Sequence, residues 1–134
     1  MPPKQPTFVD ASVLIHAIIG RDAARKMRAL AVLADPDREF VATRFLELEV
    51  MPIPTYFKRN RELAFYDRYF RGVGTWIELS AIIQPAYDLA CRYGLGTIDS
   101  LHLAAAIATG AEFVSAEKPT KPVYAAYVGS VSIN

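Results

Sequence analysis

The sequence predicts an α/β fold: a three-layer sandwich with a central, mostly parallel sheet flanked by helices. Short apolar strands alternate with helical segments along the chain, the pattern of a parallel sheet covered on both faces and joined by right-handed crossovers. The 134 residues suit a single domain, residues 1–134, in which folding buries roughly two-thirds of the unfolded surface. No internal repeat, low-complexity tract or linker divides it.

The stretch MPPKQPT is short, Pro-rich and without an apolar core, so residues 1–6 are expected to be a loose leader rather than a secretory signal. TFVDA reads as the first strand and SVLIHAIIG as a helix ended by Gly20. DAARKMRALAVLAD is a second helix, capped by Asp22 and stopped near Asp35-Pro36. EFVAT is a short strand, and RFLELEVM a helix that runs to Pro52 and Pro54. TYFKRNRELAFYDRYFRG is expected to form one amphipathic helix, and TWIELS a third strand. AYDLACRYG follows with Pro85 at its first helical position and Gly94 as its stop. TIDSLHLAAAIATG is the next helix, AEFVSA a strand and GSVSI the last strand.

No apolar run approaches the ~18 residues of a spanning helix, so a soluble protein without a membrane role is expected. Cys91 is the only cysteine, which excludes an internal disulfide and a thiolate zinc site and fits a reducing cytoplasm. The net charge of +1 excludes strong global attraction to nucleic acid, yet leaves room for a local basic patch.

The chemistry lies in the acids. Asp10 ends the first strand among Phe8, Val9, Val13, Leu14 and Ile15, where a carboxylate is costly unless it is paired, protonated or bound to a cation. Ligands of such sheets gather beyond the carboxyl ends of strands, and Glu117, after EFVS, belongs to the same edge. Asp99 falls in the first turn of its helix, after Thr97 as expected N-cap, where the helix dipole favours an anion. Of Glu47 and Glu49, Glu49 shares an i, i+3, i+4, i+7 stripe with Leu46, Val50 and Ile53 that should face the sheet. Glu47, three after Arg44, suits an exposed ion pair. A set of carboxylates without a His-Cys cluster is a hard-oxygen site for Mg²⁺ or Mn²⁺ and suits phosphodiester hydrolysis.

Three stretches then carry a resemblance: VDASVLIHAI, ATRFLELEV and YGLGTIDSLHLAAAIATGAEFVSAEK, in order from Phe8 to Lys118. The chain resembles the PIN-domain nucleases, and within them the VapC-type toxins of toxin-antitoxin pairs. That resemblance implies a PIN-like fold and Asp10, Glu49, Asp99 and Glu117 as the catalytic, metal-binding acids, with Ser12, Thr97 and Ser115 as polar neighbours. It implies an RNA substrate, a cognate antitoxin and a homodimer. Two departures stand out: the family's usual Thr-Asn-Asp is Ser115-Ala116-Glu117 here, and the usual polar residue of the glutamate motif is Leu46.

Simpler readings remain beside these. Asp10 suits a helix cap, and Glu117, beside Lys118, Pro119 and Lys121, an exposed charged turn. His102 and His16 read as packing residues rather than catalytic ones. Lys58, Arg59 and Arg61, interleaved with aromatics, are candidate RNA or partner contacts, although packing aromatics on an amphipathic helix explain the same pattern. A catalytically degenerate domain that binds RNA or protein is the alternative to a metal-dependent endoribonuclease. A phosphate-accepting signalling domain ranks below both, since Glu49 has no role in it.

Overall fold

The computed structural model describes residues 2–134; Met1, part of the expected leader, lies outside the described residues. The first strand, β1 (Gln5–Val9), starts inside the stretch expected to be loose, because Gln5 N–H reaches the Asp37 carbonyl at 2.7 Å. Thr7, Phe8 and Val9 are all buried, as befits a strand covered on both faces. Two helices follow, α1 (Ala11–Ile19) and α2 (Ala23–Leu33), the second capped by Asp22 as expected.

Strand β2 (Arg38–Ala42) leads through Thr43 as N-cap into α3 (Arg44–Val50). The helix stops there, and α4 (Pro52–Tyr56) begins with proline at its first position. The single helix expected over 55–72 is divided: α5 spans only Asn60–Arg71, after a turn in which Lys58 adopts φ 53°. The turn arises because the Arg59 N–H returns to the Pro54 carbonyl at 2.8 Å and ends α4. Tyr66 and Phe70 of α5 pack into the core, which agrees with the packing reading of its aromatics.

TWIELS supplies only a two-residue strand, β3 (Thr75–Trp76), before a 3₁₀ turn at Leu79–Ala81. Helix α6 (Ile83–Tyr93) starts earlier than expected and holds Pro85 at its third position, where an N–H would have no helical acceptor anyway. Gly94 ends it in the left-handed region, φ 69°. Helix α7 (Thr97–Ala108) is buried continuously from Ser100 to Ala106. After β4 (Glu112–Ser115), an unexpected short helix, α8 (Pro122–Ala126), precedes β5 (Ser130–Ser132).

The five strands form one wholly parallel sheet in the order β3-β2-β1-β4-β5. The chain builds outward from β1 to β3 on one side, then returns to lay β4 and β5 on the other. The reversal of strand order therefore falls between β1 and β4, where open α/β sheets hold their ligands.

Candidate active site

Asp10 stands one residue beyond β1, its backbone N–H still paired to the Val114 carbonyl at 3.0 Å. It caps α1: its Oδ1 accepts from the Ser12 N–H at 3.0 Å and from the Ser12 hydroxyl. Its other oxygen, Oδ2, accepts from Ser115 Oγ–H at 2.7 Å across the switch point. Burial pushes the Asp10 carboxyl above the usual aspartate value, against the pull of these hydroxyls and of His102. The cap reading is thus correct, and it fixes the carboxyl in place.

The segment Ser115–Glu117 is held at nearly every backbone group. The Ala116 N–H donates to Ser12 Oγ at 2.9 Å, and the Glu117 N–H to Ser115 Oγ at 3.1 Å. The Glu117 carbonyl accepts from Ser132 Oγ–H at 2.7 Å and Tyr124 O–H at 2.8 Å, and the Ala116 carbonyl from Asn134 at 3.1 Å. Glu117 itself is exposed on this anchored loop. Tyr124, Ser132 and Asn134 escaped the sequence reading, since nothing in their spacing marks them.

Gly96, in extended conformation, takes the N-cap of α7 in place of Thr97, which is the first helical residue and makes no side-chain cap. Asp99 remains in the first turn. Its carboxyl is raised chiefly by withdrawal from solvent, eased by His102 and Lys121 and reinforced by the charges of Glu117 and Glu49. Asp99 therefore shares a field with both glutamates.

Glu47 pairs with Arg44 as its spacing required, and Glu49 Oε1 accepts from His102 Nε2–H. The two do not divide by burial as expected: Glu47 is half-buried and Glu49 is exposed, at the rim of the apolar stripe rather than within it. The stripe itself is shorter than expected, because Leu46 and Val50 are buried but Ile53, on the next helix, is 55% exposed. His102 is the packing residue foreseen, buried and 5.0 Å from the Phe8 ring. Leu46, at the family's polar position, is wholly buried in the core.

Carboxylates backed by hydroxyls are the donor set of a hard divalent cation. Among the described residues, however, no three acidic, histidine or cysteine side chains close around one point. The Asp10 oxygens and Glu49 Oε1 are turned to Ser12, Ser115 and His102 instead. Lys58, Arg59 and Arg61 are exposed around the α4–α5 turn, with the Arg59 guanidinium 5.2 Å from the Phe57 ring centre. No described helix is long and apolar enough to cross a membrane.

The fold is similar to a chain of a toxin-antitoxin complex from Klebsiella pneumoniae, with TM-score 0.70 and 20% identity over 96% of this chain and 98% of that one. It is also similar to a crystal structure of a Pyrobaculum aerophilum protein, with TM-score 0.61 and 15% identity over 98% and 92% of the two chains. No curated protein sequence matches. The profile of the PIN domain matches residues 7–119, from within β1 to the anchored loop after β4, and the chain therefore belongs to the PIN-domain family.

Proposed function

We propose that the chain is a metal-dependent endoribonuclease and the toxin of a toxin-antitoxin pair. The observation that carries this reading is the tie of Asp10 through Ser115 to the Glu117 loop at the switch point, together with the field that Asp99 shares with Glu117 and Glu49. PIN domains are generally nucleases and typically use divalent metals. Asp10, Glu49 and Asp99 would hold Mg²⁺ or Mn²⁺, with Glu117 assisting directly or through water. Such an ion, when bound, offsets charge on the phosphodiester and makes water more acidic.

The rest is done by the chain. Ser12 and Ser115 donate to Asp10 and favour its ionised form, the form that binds a cation. Their own positions are set by the Ala116 and Glu117 N–H groups. Glu117, exposed on an anchored loop, is suited to orient the attacking water. Attack forms a new P–O bond, and the P–O bond to the departing ribose oxygen breaks, with a proton going to that oxygen. An antitoxin partner, a homodimer and a cytoplasmic setting belong to the same proposal, and the likeness of fold to a chain from a toxin-antitoxin complex is compatible with them.

The test is cleavage of single-stranded RNA by metal-stripped protein with and without Mn²⁺. Cleavage should need the ion and vanish in the Asp10→Asn, Asp99→Asn double variant; undiminished cleavage by that variant overturns the reading. A second reading, a non-cutting RNA- or protein-binding module, is favoured by Ala116 in place of the family's amide side chain and by the engagement of Glu49 with His102. It requires metal-independent binding without cleavage even at high Mn²⁺.

A further inference from the structure

Trp76, the only tryptophan, closes β3 on the carboxyl edge of the sheet. It pairs with Ala42, and the β1–β2 register of Thr7 with Phe40, carried two residues on, sets Ala42 beside Val9. Val9, Ala42 and Trp76 thus form one row, and Trp76 lies two strand spacings, roughly 10 Å, from the strand that delivers Asp10. Trp76 is 41% exposed, so its ring is open to a ligand.

The surroundings of the ring are specific. The Phe70 and Trp76 ring centres lie 5.8 Å apart, and the Arg44 guanidinium lies 5.2 Å from the indole centre. Arg44 opens α3, the helix that carries Glu49, so the stacked cation and one of the candidate acids belong to one helix. Trp76 and Arg44 form one wall of an open cleft of about 490 Å³, completed by Ile77, Glu78, Leu79 and Ser80. That is ample for one nucleotide.

The geometry points to this cleft as a subsite for a base of single-stranded RNA flanking the cleaved phosphodiester. The inference rests on the ribonuclease reading of the acidic edge and adds a determinant of which base is accepted. Unpaired bases stack on aromatic rings and guanidinium planes, and the Arg44 guanidinium, held by its ion pair with Glu47, supplies such a plane beside the indole. Glu78 on the cleft wall can only accept hydrogen bonds when ionised. It therefore favours cytosine, which donates from its exocyclic amino group, over uracil, whose one base-edge donor, N3–H, is flanked by two carbonyl oxygens that the carboxylate repels.

Because Trp76 is the sole tryptophan, its emission reports this cleft directly. The full chain is titrated in EDTA with oligo-C and oligo-U RNA, following tryptophan emission with unlabelled RNA and overall binding by anisotropy of a labelled copy. Emission should change with the same midpoint as anisotropy, and oligo-C should bind more tightly than oligo-U. Trp76→Ala should weaken binding about 5- to 150-fold, the range for loss of one stacked base, with Trp76→Phe recovering most of it. Glu78→Gln should narrow the gap between the two oligonucleotides. RNA that binds without altering the emission, with Trp76→Ala and Arg44→Gln binding as the wild type does, refutes the subsite and leaves the nuclease reading intact. Absence of any RNA binding, with Mn²⁺ as well as without, refutes both.

Discussion

Ser115 Oγ–H donates to Asp10 Oδ2 at 2.7 Å, a bond that joins the ends of β1 and β4 across 105 residues of chain at the point where strand order reverses. The same hydroxyl accepts the Glu117 N–H at 3.1 Å. One side chain therefore ties the first acid to the loop of the last.

Ser115→Ala should leave Asp10 Oδ2 and the Glu117 N–H without this partner. Loss of buried hydrogen-bond partners costs about 1–3 kcal/mol. Urea unfolding should report that loss, and Ser115→Thr, which keeps the hydroxyl, should restore most of it.

Asp10 and Asp99 make folding pH-dependent in an uncommon direction. Both carboxyls are held above the ordinary value of 3.8, Asp10 by burial and Asp99 by partial burial with the charges of Glu117 and Glu49. A group with a raised folded pKa contributes stability that is complete below its unfolded value and is lost as pH rises through the folded one. Metal-free Asp99→Asn should accordingly melt above the wild type at neutral pH, and the difference should shrink toward pH 3.8. A lower melting temperature at neutral pH would count against the arrangement of charges around Asp99.

Glu49 has a structural and a proposed functional role that substitution can separate. Glu49→Ala strands the buried His102 Nε2–H and should cost about 1–3 kcal/mol, whereas Glu49→Gln keeps an acceptor and should stay near wild-type stability. Both should weaken Mn²⁺ binding. Equal Mn²⁺ affinity in Glu49→Gln and wild type assigns Glu49 to packing alone.

Ser132→Ala removes one of the two hydroxyls on the Glu117 carbonyl, and Tyr124 retains the other. Stability should change by about 0.5 kcal/mol or less, as for most surface substitutions. Cleavage should fall by a larger factor than stability alone accounts for, with Ser132→Thr recovering it.

Much of this was legible in the sequence because it follows from local rules. A strand ending in Asp10 marked the sheet edge, and Arg44 takes Glu47 as its spacing required, whereas helical phase did not foretell that Glu49 is the more exposed of the two glutamates. Gly94 stopped its helix in the left-handed conformation that glycine permits. What escaped depended on contacts distant in sequence or on elements too short for a period. The Glu49–His102 pair spans 53 residues, and the bonds from Ser132 and Tyr124 to Glu117 come from a C-terminal segment with no motif. Helix α8 is five residues long and opens with Pro122, too short to show a 3.6 repeat. The break at Lys58 was hidden because its flanks both favour helix. Thr97 lost the cap to Gly96 because the left-handed turn at Gly94 delivers the chain to the helix one residue earlier.

The most direct measurement is a calorimetric titration of Mn²⁺ into chelator-stripped wild type, Asp10→Asn and Glu117→Gln. The wild type should bind, Asp10→Asn should show no heat of binding, and Glu117→Gln should bind more weakly. A silent wild type, or an Asp10→Asn isotherm that overlays it, means the carboxylates at the switch point do not hold the ion, and the chain is then a binding module rather than a metal-dependent nuclease.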